Sequence, residues 1–318
     1  MPLISVVVPV YQVKDYVAMM AQSVISQTVG DWEMILVDDG SGDGSGEECD
    51  RLAQSDARIR VIHQPNSGQG PARNTGLAAA KGEYVFYLDS DDTIATDTFA
   101  VFSDLITQEP GIDVVFCGFR RVASTPAPAP YGSLPPVEVF ATPQKAQEAF
   151  LTRRCRFLTP DTFYRRRWLA DNGLTFRAVP YSEDIFNLWE CLMTHGRFAY
   201  IDAPLYNYLT RPGSVMTGTK LPKIVEGISH FRDLERRMNE SAAVSPFVRR
   251  FMLPRWALGI MHSGAALCTR SEFRQLCEAV GARDAMRRLV SFPEKKGRLL
   301  ALLYLFSPRL FYSLCRRY

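Results

Sequence analysis

The chain has 318 residues, of which 47% are hydrophobic and 22% are charged. This is the composition of a folded globular protein, and it excludes a mainly disordered chain. The net charge of +3 hides an uneven distribution, because residues 230–318 carry 17 basic and 7 acidic side chains. The last third is therefore the part that we expect to contact an anionic partner.

Three further features bear on the cellular compartment. The seven scattered cysteines form no Cys-x-x-Cys pair, which indicates reduced thiols in a cytoplasmic protein and argues against a zinc site. The N-terminus runs directly into an apolar, β-branched segment with no basic region or cleavage site, so we predict no signal peptide. No apolar stretch reaches ~18 uninterrupted residues, so we predict no membrane-spanning helix.

Short apolar runs alternate with segments of helical periodicity along the first 90 residues. The predicted strands are 3–8, 33–37, 58–62 and 84–88, and the predicted helices are 14–28, 44–55 and 71–80. This alternation predicts an α/β fold with a mostly parallel sheet flanked by helices. Ligands of such sheets bind beyond the carboxyl ends of the strands. The polar clusters that follow the first, second and fourth strands should therefore converge on one edge.

The later part of the chain has a different pattern. A Pro-rich segment at 124–136 separates the alternating region from a second region at 140–220. From about residue 221 the pattern is helical to residue 318, so we predict a basic helical extension there.

The strongest local signal is the run Asp89-Ser90-Asp91-Asp92, directly after the fourth predicted strand. Three carboxylates in four residues repel one another unless a cation or water separates them. Their oxygens suit a hard divalent ion, which could bridge the phosphates of a nucleotide. The alternative is an acidic turn in which Asp92 or Thr93 caps the following helix.

Two clusters earlier in the chain each allow two interpretations. Asp38 or Asp39 could accept a hydrogen bond from a nucleobase, or the pair could form an ordinary turn that caps a helix. The Gly-rich loop around Gly68, followed by Arg73, could bind an anion at a helix N-terminus. It could equally be a simple connection.

Two clusters later in the chain are also ambiguous. Glu183 and Asp184 precede an apolar helix, so one acid could act as a general base while the other caps the helix. Arg211 and Ser214 flank a glycine, which suits a diphosphate but also suits a surface turn.

Taken in order, these motifs resemble those of the family-two inverting glycosyltransferases with the GT-A fold, especially bacterial enzymes that build capsule, exopolysaccharide or O-antigen. The resemblance covers about residues 3–218. It is carried by Val6-Val7-Val8-Pro9-Val10-Tyr11, Val37-Asp38-Asp39-Gly40-Ser41, Asn66-Ser67-Gly68 with Ala72-Arg73-Asn74, Tyr87-Leu88-Asp89-Ser90-Asp91-Asp92, Glu183-Asp184 and Arg211-Pro212-Gly213-Ser214. Gly70-Pro71 and the glycine-rich stretch 42–46 depart from the family pattern, but neither removes a proposed catalytic group.

The resemblance implies a catalytic domain over 1–220, with a nucleotide-binding half at 1–123 and an acceptor-side half at 140–220. It implies transfer, with inversion, of a sugar from a nucleotide-diphospho-sugar, usually a UDP-sugar, to a saccharide or lipid-linked saccharide. Nucleic acid is not an expected partner. The residues that would hold the donor are Pro9, Tyr11, Asp38, Asp39, Gly68, Arg73, Asp89, Ser90, Arg211 and Ser214.

Within that set the resemblance assigns separate roles. Tyr11 would lie against the base, Asp39 would bond it, and Asp89 would lie near the ribose. Asp91 would coordinate Mn²⁺ or Mg²⁺. Asp184 would be the catalytic base, with Glu183 as its neighbour.

Residues 287–318 hold eight Lys or Arg side chains and one acid around two apolar runs that Pro308 separates. Basic residues beside Leu, Phe and Tyr are typical of an interfacial helix on anionic lipid. This predicts a cytoplasmic protein bound peripherally to the inner face of the cell membrane. The alternative is a helix packed on the catalytic domain or on another subunit of a homo-oligomer.

Two other function classes compete with this interpretation. A sugar nucleotidyltransferase also uses a parallel sheet and metal-binding acids, but it would carry a Gly-rich basic signature where this chain has Gln12-Val13-Lys14. A catalytically silent sugar-nucleotide-binding module would not need the intact set Asp39, Asp89, Asp91 and Asp184.

Overall fold

The computed structural model describes residues 1–124, 126, 129–132, 135–152, 159–177, 183–211 and 221–316. Within these ranges the strands are β1 (Ile4–Val10), β2 (Trp32–Asp38), β3 (Ile59–His63), β4 (Tyr84–Tyr87), β5 (Thr93–Ile94), β6 (Val114–Val122), β7 (Val137–Val139), β8 (Thr162–Arg165) and β9 (Phe198–Leu209). The helices are α1 (Lys14–Ile25), α2 (Ser45–Ser55), α3 (Gln69–Ala79), α4 (Thr98–Gln108), α5 (Pro143–Leu151), α6 (Arg166–Asp171), α7 (Glu183–Leu192), α8 (Leu221–Glu240), α9 (Pro246–Leu267), α10 (Arg270–Ala279), α11 (Ala282–Leu289), α12 (Lys295–Phe306) and α13 (Pro308–Cys315).

A sheet with the strand order β3-β2-β1-β4-β8-β6-β9-β5 forms the centre of the larger of two compact units, and β7 pairs with β9. The first four strands are mutually parallel. Beyond them the sheet is mixed, because β8 runs antiparallel to both of its neighbours. The predicted α/β class is confirmed, and the parallel pattern belongs mainly to the first half.

Strands β1 and β2 are buried along their whole lengths, as expected for parallel strands covered on both faces by helices. Helix α3 packs closely on β1. A Cβ atom on Gly76 would collide with Val7, so only glycine permits this approach. The contact fixes α3, and the arginine that it carries, against the central strands.

The carboxyl ends of β1, β2 and β4 lie at one edge of the sheet. Pro9 pairs with Val37 and Val10 with Asp38 across β1 and β2, and Tyr87 pairs with Val7 across β4 and β1. The polar segments that follow these strands therefore leave the sheet on the same side. The predicted convergence of the three clusters is confirmed.

The chain after the acid run forms a strand and not a helix. Thr93 and Ile94 are β5, which pairs antiparallel with β9, and α4 starts only at Thr98 with Asp97 as its N-cap residue. The alternative interpretation of Asp92 or Thr93 as a helix cap is therefore wrong. Thr93 and Ile94 are both β-branched, which favours a strand over the start of a helix.

The smaller unit contains helices α8 to α13, which confirms the predicted helical extension. Aromatic pairs build its core: Phe231 stacks on Trp256 with ring centroids 3.6 Å apart, and Phe273 stacks on Phe311 at 6.2 Å. Among the described residues, no helix has the length and apolar character needed to cross a membrane.

Candidate active site

A buried arginine connects the acid run to the start of α7. Arg73, on α3, is 1% exposed. Its Nη2 donates to Asp89 Oδ1 at 2.8 Å, and its Nη1 donates to Glu183 Oε1 at 3.0 Å. A buried guanidinium has lost its hydration, and charge-assisted bonds to two carboxylates compensate for that loss. Asp89 and Glu183 are thereby held on two sides of one side chain.

Glu183 is the first residue of α7 and is only 8% exposed. Besides Arg73, it accepts a hydrogen bond from Gln69 Nε2 at the start of α3. Its carboxylate is thus engaged by two donors from one helix. Both donors bind Oε1, so this oxygen links the start of α7 to α3.

Asp184 lies next to this network and is partly buried. Its Oδ1 accepts from the backbone N–H of Ile185 at 2.8 Å. Burial, and next the charge of Glu183, raise the pKa of Asp184 well above that of an ordinary aspartate, while Arg73 opposes the rise. A carboxylate with a raised pKa holds a proton more strongly, which suits a general base.

Asp91 and Arg211 come together although 120 residues separate them. Arg211 Nε donates to Asp91 Oδ2 at 2.7 Å, and the guanidinium lies 4.7 Å from the ring centroid of Tyr16. Burial, followed by the charge of Asp89, raises the pKa of Asp91, and the ion pair with Arg211 counteracts that rise. Burial and the charge of Asp89 therefore both favour the protonated form of Asp91 when no cation is bound.

The donor set of this run fits a divalent cation that is shared with a bound ligand. Asp89 and Asp91 offer hard oxygen atoms and repel each other, so a cation between them would be stabilised. In phosphate sites Mg²⁺ is typically held by one or two carboxylates together with phosphate oxygens and water. Within the described ranges, no group of three or more His, Cys, Asp or Glu side chains is placed so that it could hold a metal ion.

Asp92, the third acid of the run, has different partners. Its Oδ2 accepts from the Tyr206 hydroxyl at 2.5 Å and its Oδ1 from the backbone N–H of Leu209 at 2.7 Å. The same hydroxyl accepts from the backbone N–H of Asp89 at 3.3 Å. The acid run is thus joined to the end of β9, two residues before Arg211. Tyr206 was not identified from the sequence, where it sits in an apolar run like any core aromatic.

Asp39 holds the Gly-rich loop. Its Oδ2 accepts from the backbone N–H of Gly68 at 2.8 Å, and its Oδ1 accepts from the N–H of Ser67 at 2.9 Å and from Gln64 Nε2 at 2.7 Å. Gly68 has φ +92°, which favours glycine, and is the N-cap residue of α3. The loop N–H groups at 67 and 68 therefore bind a carboxylate of the chain itself.

Asp38, the last residue of β2, has different partners from Asp39. It accepts from the backbone N–H of Ser41 at 3.0 Å and contacts His63 Nδ1 at 2.9 Å. The N-cap residue of α2 is Gly44, so neither aspartate caps that helix. Asp38 thus closes a turn through Ser41, and the prediction that one of the two aspartates caps the helix is wrong.

The remaining residues predicted to bind the donor are Pro9, Tyr11, Ser90 and Ser214. Pro9 is buried in β1 and pairs with Val37. Tyr11 follows that strand with its side chain 50% exposed, and Ser90 is 7% exposed within the acid run. Ser214 lies outside the described residues. Among the predicted donor residues, Tyr11 is the one whose large surface is open to a flat ligand.

Comparison with known proteins identifies the family. Residues 5–173, just over half of the chain, match the model of Glycosyl transferase family 2. A Bacillus subtilis (strain 168) protein named "Uncharacterized glycosyltransferase EpsJ" is 34% identical over 225 residues, which are 70% of this chain and 64% of that protein. The chain thus spans less than two thirds of the length of this relative.

Two solved structures share the fold. Staphylococcus aureus TarS 1-349 in complex with UDP-GlcNAc has a TM-score of 0.71 at 20% identity, over 100% of this chain and 91% of that one. The mannosyltransferase PcManGT from Pyrobaculum calidifontis, in complex with GDP-Man and Mn²⁺, has a TM-score of 0.58 at 17% identity, over 99% and 83%. The predicted GT-A fold is confirmed. The sequence matches show that the chain belongs to glycosyl transferase family 2.

Proposed function

We propose that the chain is an inverting, metal-dependent glycosyltransferase that moves a sugar from a nucleotide-diphospho-sugar to an acceptor hydroxyl. The observation that carries the proposal is the Arg73 bridge between Asp89 and Glu183. It joins Asp89, whose carboxylate suits the cation of a diphosphate, to Glu183, the neighbour of Asp184, which is an acid that suits proton transfer. An enzyme that joins a sugar to a hydroxyl needs both groups close together.

The donor would bind at the sheet edge, with Tyr11 against the base and Asp39 beside it. TarS was solved with UDP-GlcNAc and PcManGT with GDP-Man, which supports a nucleotide-sugar as the ligand class. The family resemblance favours uracil, so a UDP-sugar is the donor that we propose. Pro9, Asp38 and Gly68 would shape this site through the backbone.

Asp91, with Asp89 beside it, would hold Mn²⁺ or Mg²⁺, and such an ion supplies positive charge that stabilises a departing diphosphate. The chain adds Arg211, which already lies at Asp91, and we propose that Arg211 and Ser214 contact the diphosphate. Preorganised positive charge at the point where negative charge develops is among the largest contributions to catalysis.

Asp184 would accept the proton of the acceptor hydroxyl. The hydroxyl oxygen forms its bond to the anomeric carbon on the face opposite the diphosphate, and the bond from that carbon to the diphosphate oxygen breaks. The electron pair leaves with the nucleoside diphosphate, so the anomeric configuration inverts. The raised pKa of Asp184 makes its carboxylate a stronger base than an exposed aspartate.

We further propose that residues 1–220 form the catalytic domain and that 140–220 face the acceptor. The acceptor would be a saccharide or lipid-linked saccharide in bacterial surface polysaccharide synthesis, by analogy with the enzymes that the motifs resemble. The reaction would take place in the cytoplasm, at the inner face of the cell membrane.

A panel of UDP-sugars and GDP-mannose with Mn²⁺ and saccharide acceptors tests the proposed reaction. We expect one donor to release nucleoside diphosphate in step with a glycosylated product of inverted anomeric configuration. Pyrophosphate release would instead identify a nucleotidyltransferase. Tight donor binding without any turnover across the panel would identify a binding module.

Asp92→Ala is expected to raise the KM for the donor on the order of 10-fold with a smaller change in kcat, because two buried hydrogen bonds that join the acid run to β9 are lost. Asp92→Asn should restore most of the affinity, since an amide oxygen can still accept from Leu209 N–H. Steady-state kinetics of both variants provide the check. A fall in kcat with an unchanged KM, or equal defects in both variants, would contradict this positioning role.

Glu183→Gln is expected to move the acid limb of the kcat–pH profile to lower pH. A general base works in its deprotonated form, so wild-type kcat should rise with pH through the raised pKa of Asp184. The charges of Glu183 and Asp89 both raise the pKa of Asp184, whereas the charge of Arg73 lowers it. Removing the Glu183 charge lowers the pKa of Asp184. An acid limb that stays in place at saturating donor would count against this coupling.

A further inference from the structure

The last two helices of the smaller unit expose large apolar side chains. Five of them, which we call the C-terminal apolar face, are Leu299 (57% exposed), Leu302 (47%), Phe306 (86%), Leu310 (43%) and Leu314 (38%). On α12 the spacing of Leu299, Leu302 and Phe306 places them on one side of the helix, as does the spacing of Leu310 and Leu314 on α13. Monomeric proteins rarely leave such a cluster uncovered unless it binds something.

This face is not needed to attach the helices to the fold. Helix α13 is anchored by its opposite side, where Phe311 and Tyr312 are buried against Phe273 and the Tyr312 hydroxyl donates to the Cys268 carbonyl at 2.9 Å. On α12 the buried positions include Ala301 and Tyr304. Both helices therefore have a buried side and a side on which large apolar side chains stay between 38% and 86% exposed.

Cations flank the C-terminal apolar face. Exposed basic side chains on and beside the two helices are Lys295, Lys296, Arg298 and Arg309, whereas Arg316 donates to the hydroxyl of the buried Tyr312. In this stretch the one acid is Glu294, whose carboxylate lies 3.7 Å from Arg255. Lys295 and Arg298 fall on the same side of α12 as Leu299 and Leu302. Apolar side chains framed by cations are the pattern that binds the surface of an anionic bilayer.

We propose that the C-terminal apolar face is a docking surface for an anionic lipid bilayer, into which these side chains insert at headgroup depth without crossing it. A second copy of the chain fits this face less well, because self-association would bring the cations of two copies together. A bilayer supplies both the apolar layer and the opposite charge. The proposal rests on the proposed function for its biological meaning, since it would hold the enzyme beside a lipid-linked acceptor, but its test does not use turnover.

The test is co-sedimentation of the full chain with vesicles of phosphatidylcholine alone or mixed with phosphatidylglycerol. The decisive variant carries Leu302→Glu and Phe306→Glu. Leu267→Glu is the matched control, because Leu267 is also on the smaller unit and is 49% exposed but lies outside the face. Circular dichroism and thermal unfolding check that each variant is folded.

We expect wild type and Leu267→Glu to bind the anionic vesicles, more weakly at high salt, and the double variant to bind at least ~10-fold less. Three results would overturn the proposal: wild type that stays in the supernatant, equal binding by the double variant, or equal loss in Leu267→Glu. Size-exclusion chromatography tests whether a second copy of the chain binds this face instead. A wild-type dimer that the double variant dissociates, without any vesicle binding, would show that a second copy covers this face.

Discussion

Asp184→Asn is expected to leave the donor Kd nearly unchanged and to lower kcat by roughly 10²–10⁴-fold, the usual contribution of a positioned general base. The amide has the shape of the carboxylate and can still accept the Ile185 N–H bond that Asp184 Oδ1 accepts, but it does not take up a proton. Calorimetry measures the donor Kd, and nucleotide release measures kcat on the same preparation.

The matched control is Asp171→Asn, at the exposed end of α6, where the side chain is 65% exposed. This variant should transfer sugar at the wild-type rate. If Asp184→Asn retained normal kcat, the proton would have to go elsewhere. If it lost donor affinity as severely as kcat, Asp184 would belong to the donor site and not to the acceptor side.

Asp91→Ala is expected to abolish stimulation by Mn²⁺ and to lower kcat/KM on the order of 10³-fold, because stabilisation of a diphosphate by a metal is worth several kcal/mol. The substitution also removes the carboxylate that Arg211 contacts at 2.7 Å, so donor binding should weaken together with turnover. A titration of activity against Mn²⁺ concentration measures both effects.

Asp104→Ala is the control for that experiment, since Asp104 is an exposed acid on α4 outside the acid run. It should keep the Mn²⁺ response of the wild type. Full wild-type activity in excess chelator would contradict metal dependence. An Asp91→Ala variant with an unaltered Mn²⁺ response would show that the ion is held by other residues.

The sheet edge could be predicted from the sequence because it depends on local patterns. The apolar runs that became β1, β2 and β4 have the length and the continuous apolar character of buried parallel strands, and each ends directly before polar residues. Parallel pairing then brings those ends together whatever the loops do. The boundaries shifted by a residue or two, as helix and strand ends commonly do.

The Arg73 network could not be predicted in the same way. The sequence places Arg73 after a Gly-rich loop, which suggested that it would face an anionic ligand. Its burial depends on α3 lying against β1 through Gly76, and its second partner is Glu183, 110 residues later. Residue spacing cannot predict a contact between residues so far apart in the chain. The carboxylates that neutralise this guanidinium are therefore identified only in the folded structure.

Asp92 and the C-terminal helices illustrate the same limit. Asp92 stands beside a predicted metal ligand, yet its hydrogen bonds go to Tyr206 and Leu209 on β9, because β5 pairs there. The basic and apolar character of 287–318 was visible in the sequence. Which leucines are exposed was not, since that follows from Phe311 and Tyr312 taking the buried side of α13.

The central claim is that the acid run holds the donor while Asp184, across Arg73, accepts the proton. Calorimetric titration of the donor in Mn²⁺ against wild type, Asp184→Asn and Asp91→Ala tests this division most directly. We expect Asp184→Asn to bind donor as wild type does and Asp91→Ala to lose the Mn²⁺-dependent part of the affinity. Loss of affinity in Asp184→Asn together with normal metal-dependent binding in Asp91→Ala would contradict this division of roles.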